Sequence, residues 1–283
     1  MHQGAPFWRI YVFILLLSLF QRVEAATSSE LIWLPAAQLP ISAANVALAE
    51  SNVGSVSGLP SLVFNPAGLT QLNKRELQAN RATPQPSTVI EAISIALPTT
   101  YARVGVSLQQ LTADDLITRD DAGNPTGVFQ YTEGMLALSA ARSWRYLHYG
   151  ISVGALWQGA GLQKDYGTLA KVGMQWYATD AWQLGATATW AGQFKKEPNP
   201  LRYQVGVSYE RGTLAWHFAG GTDTSLGVEW QPVQKLVLRA AATEVGLHWV
   251  PAAGFGFTGD YAQINYAYNR ARPGHVLSVR LCF

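Results

Sequence analysis

His275-Val276-Leu277-Ser278-Val279-Arg280-Leu281-Cys282-Phe283 ends the chain, with Leu277, Val279, Leu281 and Phe283 apolar at every second position. Ser278, Arg280 and Cys282 fall between them. Side chains on a strand alternate between two faces, so this stretch has one apolar and one polar face. The terminal residue is aromatic and lies on the apolar face.

The same alternation recurs upstream. Trp182, Leu184, Ala186, Ala188 and Trp190 alternate with Gln183, Gly185, Thr187 and Thr189. Leu201, Tyr203, Val205, Val207 and Tyr209 alternate with Arg202, Gln204, Gly206, Ser208 and Glu210. Residues 147–157 and 170–178 repeat the pattern, with shorter runs at 102–108, 214–218, 226–230 and 262–268. Residues 128–142, 235–243 and 246–258 are less regular and are also assigned to strands. Counted from about Arg75, the pattern predicts 14 strands. Tight turns are expected at Pro98-Thr99-Thr100, Thr179-Asp180, Arg211-Gly212, Gln231-Pro232 and Thr258-Gly259. Longer connections are expected at 83–88, 111–127, 159–167, 192–200 and 270–274. Short turns at one end and longer loops at the other, with an even strand number, are features of a membrane-spanning barrel.

Composition agrees. Charged residues make up 13% of the chain, against about 25% in soluble domains. Trp182 and Trp190 share one face, which separates them by roughly 20 Å along a membrane normal. That spacing brackets an apolar band between two aromatic girdles. A soluble β-protein core is the competing reading, and it does not require the turn asymmetry. The expected fold is therefore all-β: a transmembrane antiparallel up-and-down barrel with an N-terminal plug or hatch.

At the other end, Arg9 precedes an apolar run over Ile10–Phe20, and Val23-Glu24-Ala25 supplies small residues for cleavage. Residues 1–25 are expected to be a signal peptide; the alternatives are an uncleaved anchor or a buried helix. No Cys follows for a lipid anchor. Loss of Arg9, Arg22 and Glu24 takes the formal charge from +2 to +1, which gives no electrostatic basis for nucleic acid binding. Cys282 is the sole cysteine, which excludes an internal disulfide and a Cys-based zinc cluster. The expected location is the bacterial outer membrane. The expected partners there are its lipid, its lipopolysaccharide and the barrel-assembly machinery. Leu277, Val279, Leu281 and Phe283 resemble the terminal signal which that machinery reads.

Residues 26–74 break the pattern. From Ile41 the chain reads ISAANVALAESNVGSVSGLPSLVFNPAGLTQL to Leu72. This is too apolar for a free tail and does not alternate. It is assigned as a plug or hatch in the barrel mouth, with a cap packed under the barrel as the alternative. Residues 75–283 form the barrel.

The element Asn65-Pro66-Ala67-Gly68-Leu69, preceded by Val63-Phe64, resembles the "WNPAGL" element of PorV/PorQ-like and FadL-like outer-membrane proteins. Ala43-Ala44-Asn45 to Gly58 is similar to the small-residue stretch before it. Gly227-Val228-Glu229-Trp230, Leu236-Val237-Leu238-Arg239, Gly254-Phe255-Gly256-Phe257 and Asn265-Tyr266-Ala267-Tyr268 follow the order of that family's last hairpins. Asn265 stands where the family usually carries Asp, and Val276-Leu277-Ser278 where it commonly has Arg-Ile-Ser. The length is closer to compact PorV-like proteins than to FadL. The resemblance implies one of two roles. FadL-like members admit hydrophobic compounds through a hatch-gated barrel. PorV-like members bind cargo in type IX secretion.

Catalytic chemistry is thin. Gly150-Ile151-Ser152-Val153-Gly154 matches G-x-S-x-G, but a hydrolase needs that Ser on a strand-to-helix elbow, not inside a strand. His148 and His217 should face inward without completing a catalytic set. No enzyme, metal site or cofactor is expected. The inward charges are Arg103, Lys171, Arg202, Glu210, Glu229, Arg239 and Arg280. They are read as a lumen lining or as ion pairs that close the barrel, with Glu229 and Arg239 on neighbouring strands. The acidic stretch Asp114–Asn124 matches no calcium-loop spacing. Lys195 and Lys196 suit lipopolysaccharide phosphates or a generic surface loop. The leading expectation is a passive channel for hydrophobic or small solutes. A closed barrel binding a secreted protein and a purely structural barrel are the alternatives.

Overall fold

The computed structural model describes residues 42–85, 87–160, 163–193, 201–271 and 274–283, all within one compact unit, residues 34–283. The expected signal peptide, residues 26–41 of the expected plug, and Lys195 and Lys196 lie outside the described residues.

The strands are β1 (Glu76–Gln85), β2 (Thr88–Pro98), β3 (Arg103–Arg119), β4 (Pro125–Trp144), β5 (Leu147–Ala160), β6 (Gln163–Tyr177) and β7 (Trp182–Gln193). They continue as β8 (Leu201–Arg211), β9 (Leu214–Gly221), β10 (Ser225–Val233), β11 (Leu236–Val245), β12 (His248–Thr258), β13 (Ala262–Asn269) and β14 (Gly274–Cys282). Each pairs antiparallel with its sequence neighbours, and β1 pairs with β14 to close a barrel of 14 strands. Closure removes both free edges, so no backbone ladder is left unpaired at the seam. The seam runs from Glu76↔Cys282 to Thr83↔His275. It is extended by Arg75 and Phe283, whose N–H groups donate to each other's carbonyls at 3.1 and 3.0 Å.

The alternation read in the sequence is the alternation of the two faces. On β7, Gln183, Thr187 and Thr189 are buried while Trp182 and Trp190 are exposed. On β14, Val276 and Ser278 are buried; Leu277, Val279, Leu281 and Phe283 are exposed. The outer face carries the apolar residues and the inner face the polar and small ones, which inverts the arrangement of a soluble barrel.

Several expectations about the connections need correction. Residues 83–88 and 159–167 are not long loops: pairing runs to Gln85↔Thr88 and to Ala160↔Gln163. Residues 111–127 are not one long loop: β3 and β4 run on as a paired arm, and their link is Asp120–Asn124. A register shift between Ala113 and Leu116, with Asp115 at φ 58°, carries the arm past its polar residues; bulges of this kind bend a strand without ending it. Gln231 and Pro232 lie inside β10, and the turn is at Gln234-Lys235.

Residues 42–72 form no strand. They make one short helix, α1 (Ala43–Ala47), and two 3-10 turns at Leu59–Ser61 and Pro66–Gln71. Val46, Val53, Leu62, Leu69 and Leu72 are at most 2% exposed. Burial of each such side chain stabilises by about 1.5–3 kcal/mol. They pack against inward residues of the wall: Val46 with Ala82, Ile90, Ala267 and Val276; Leu62, Leu69 and Leu72 with Ala96 and Ala141.

Candidate functional site

The bore is the site. Residues 42–72 approach the wall most closely at inward-facing glycines. A Cβ on Gly173 would stand 2.0 Å from Asn65 Oδ1, one on Gly185 2.4 Å from the Val53 carbonyl, and one on Gly150 2.5 Å from Pro66. A Cβ on Gly227 would stand 2.3 Å from Ser51 Oγ. Only a residue without a side chain admits other atoms of the chain at these distances. Gly150 and Ser152 are thus wall positions: Ser152 is buried mid-strand and shares a 2.7 Å hydrogen bond with Ser139, not placed on an elbow.

A segment without regular structure leaves its carbonyls needing donors, and the wall supplies them from side chains. Gln175 Nε2 donates to the Val56 carbonyl at 2.9 Å and Thr187 Oγ1 to that of Phe64 at 3.3 Å. Arg103 Nε donates to the Leu72 carbonyl at 3.0 Å, and Lys171 Nζ donates to that of Val63. In the other direction, Ala43 N donates to Ser278 Oγ at 2.8 Å.

Asn65, Ala67 and Leu69 are fully buried, with Pro66 and Gly68 buried beside them. Asn65 caps the second 3-10 turn: its Oδ1 accepts from Ala67 N at 3.2 Å. Its Nδ2 donates to the carbonyls of Val53 at 2.9 Å and Met174 at 3.2 Å. One amide thereby fixes the turn, the preceding chain and β6. Pro66 sits at the start of the turn, where its missing N–H costs nothing. Gly68 is packed so closely that a Cβ would meet the Val56 carbonyl at 2.0 Å.

The seven charged positions named from the sequence all lie on inward-phase positions, but not as one cluster. Arg103 and Lys171 hold carbonyls of the inner segment. Arg202 pairs with Glu50 at 2.6 Å and Asp223 at 2.9 Å. Arg239 pairs with Glu229 at 2.6 Å and donates to Asn265 Oδ1 at 3.1 Å. Arg280 lies 3.5 Å from Glu76 and donates to Gln263. Glu210 faces a cavity. Sequence reading missed Glu50, the single charge between residues 42 and 73. That isolation was the available signal, because a charge in a buried segment requires a counter-charge.

Two cavities flank the segment. One of about 10 Å³, the size of a single water, lies among Glu50, Lys171 and Arg202. The other, of about 290 Å³, lies nearer the rim that carries the chain's C-terminus. Its lining includes Asn52, Gln78, Gln183, Glu210, His217, Glu229, Arg239 and Arg280. His217 Nδ1 is bonded to Ser208 Oγ at 2.9 Å and Ser55 Oγ at 3.3 Å. His148 Nδ1 meets Thr70 Oγ1 elsewhere on the wall. The two histidines are not brought together. No group of three or more metal-binding side chains forms among the described residues.

No family model matches the chain, and no curated protein matches it. Solved structures do. The Pseudomonas putida toluene transporter TodX aligns over 83% of this chain and 95% of its own, at 13% identity and TM-score 0.62. The Ralstonia pickettii toluene transporter TbuX aligns over 82% and 97%, at 12% identity and TM-score 0.61. A TodX deltaS2S3 mutant, a monoaromatic hydrocarbon channel, aligns over 85% and 98%, at 12% identity and TM-score 0.65. At such identities the likeness is one of fold: the closed antiparallel 14-strand barrel.

Proposed function

We propose that this chain is a FadL-like passive channel of the bacterial outer membrane, admitting small hydrophobic solutes, with its N-terminal segment as the hatch. The likeness of fold to toluene transporters supports the solute class. The observation that carries the hatch reading is how residues 42–72 are held. Every wall strand keeps its ladder without them, since the barrel closes through β1 and β14. The segment is attached by side-chain hydrogen bonds, by the Arg202–Glu50 pair and by close contact on glycines. It can therefore leave the bore without breaking a strand pair. An outward apolar face and an inward polar one supply the solvent preferences of a membrane-spanning barrel.

The test is uptake into liposomes carrying refolded protein. Toluene or an apolar dye should enter faster than in protein-free vesicles, and deletion of residues 26–72 should raise the rate further. Equal rates in all three would remove the channel reading.

A second reading, a PorV-like barrel that binds a secreted protein, draws on the β3–β4 arm. These are the longest strands of the barrel, at 17 and 20 residues, so the arm projects past its neighbours. Capture of secreted proteins by wild-type protein, lost on trimming residues 113–129, together with no uptake, would favour it.

A further inference from the structure

We propose that the 290 Å³ cavity binds a small protonated amine with an apolar body. Glu210 on β8 and Glu229 on β10 are both cross-strand neighbours of Ala215 on β9. Their carboxylates thus flank one small residue, about 10 Å apart across two strand spacings. Glu229 is engaged by Arg239. The Glu210 carboxylate has no hydrogen-bond or ion-pair partner among the described residues. The cavity's two guanidiniums are both ion-paired, Arg239 with Glu229 and also bonded to Asn265, Arg280 with Glu76 and also bonded to Gln263; Arg280 Nε alone has no partner among the described residues. The charge left for a ligand to meet is therefore negative.

Two neighbouring groups add to it. Gln183, Ser208 and His217 lie side by side on β7, β8 and β9. Gln183 is 8% exposed and His217 6%, yet Gln183 Oε1 and His217 Nε2 have no partner among the described residues. Buried polar atoms left unpaired are costly, and a ligand carrying several N–H donors relieves that cost. An ammonium group offers such donors and the charge that Glu210 complements. Leu48 and Val56 of the inner segment lie at the same, otherwise mainly polar, cavity and are at most 3% exposed, so the hydrocarbon body that fits is small. Where about 10–15 Å³ of such space holds one water, about 290 Å³ has room for a small aryl amine with accompanying water. Benzylamine is of that size.

The inference requires a folded barrel but not passage of solute, so its failure and that of the channel reading are separable. The test is calorimetry on full-chain protein in detergent, with benzylamine hydrochloride, benzyl alcohol and benzoate as probes. Benzylammonium should bind saturably at one site, with the alcohol and the carboxylate weaker by at least about tenfold. Glu210→Gln should weaken the amine about tenfold and leave the alcohol unchanged. Glu91→Gln, on the outer face, should change neither. Equal affinity for amine and alcohol would overturn the proposal, as would amine affinity untouched by Glu210→Gln or lowered as much by Glu91→Gln. If Glu210→Gln does not fold, the three probes on the unaltered protein decide alone.

Discussion

Asn65 holds three backbone groups with one amide, so its loss should be felt beyond its own turn. Asn65→Ala leaves Ala67 N and the Val53 and Met174 carbonyls without this partner. The expected cost is about 1–3 kcal/mol, read as a lower thermal midpoint of unfolding. Gly173→Ala attacks the same contact from the wall, since its Cβ would overlap Asn65 Oδ1. Overpacking there should cost about 1–3 kcal/mol. The two changes should not add, because both dislodge Asn65. A different residue reports on pH. Asp120 accepts from the N–H groups of Ala122 at 3.0 Å and Asn124 at 2.8 Å, and from the Asn124 side chain at 3.1 Å. These bonds, led by the Asn124 side chain, hold its carboxyl below the usual aspartate range. With the folded value depressed, the contribution to the link is present above the unfolded value and lost as pH falls through the folded one. The Asn124 amide resonance should titrate with a midpoint below that of a free aspartate; a midpoint at or above it would contradict the geometry.

The inner segment and the wall strands are different kinds of element, and the sequence disclosed them unequally. The strands were legible because their period of two survives any rotation of the barrel: Trp182 and Trp190 face out wherever β7 sits. The β3–β4 arm was not legible. Asp114 and Asp115 read as loop, yet strand propensity yields to pairing when a bulge and a partner strand are available. The position of residues 42–72 was legible only as a departure from alternation. Which glycines receive them depends on register, which composition does not carry. The Arg202–Glu50 contact follows the same logic: neither residue indicates the other until β8 and the segment are placed. Side-chain exposures of 13% and 20% make this pair largely buried. Arg202→Met, which removes the guanidinium that Glu50 and Asp223 share, should cost about 3 kcal/mol. Combining it with Glu50→Gln should recover part of that loss, and denaturant unfolding of the single and double variants measures the difference.

For the whole molecule, an outer face that is mainly apolar, with the Arg81–Glu91 pair among its exceptions, and an inner face that is mainly polar define two solvents. Val279 is exposed on the outer face and Ser278 buried on the inner. Val279→Arg should destabilise the barrel in bilayers by about 2–4 kcal/mol and have little effect in a soluble setting. As the proposed hatch, residues 42–72 would leave the bore when solute passes. Ser51 Oγ lies 2.3 Å from where a Cβ on Gly227 would stand, so a disulfide between these positions would lock the segment to the wall. The decisive measurement is toluene uptake by liposomes carrying Ser51→Cys with Gly227→Cys in a Cys282→Ser background, before and after reduction. A hatch predicts uptake near the protein-free rate when oxidised and a return to the rate of the unlocked barrel on reduction. Uptake well above the protein-free rate and equal in both redox states would show that the segment does not gate the bore.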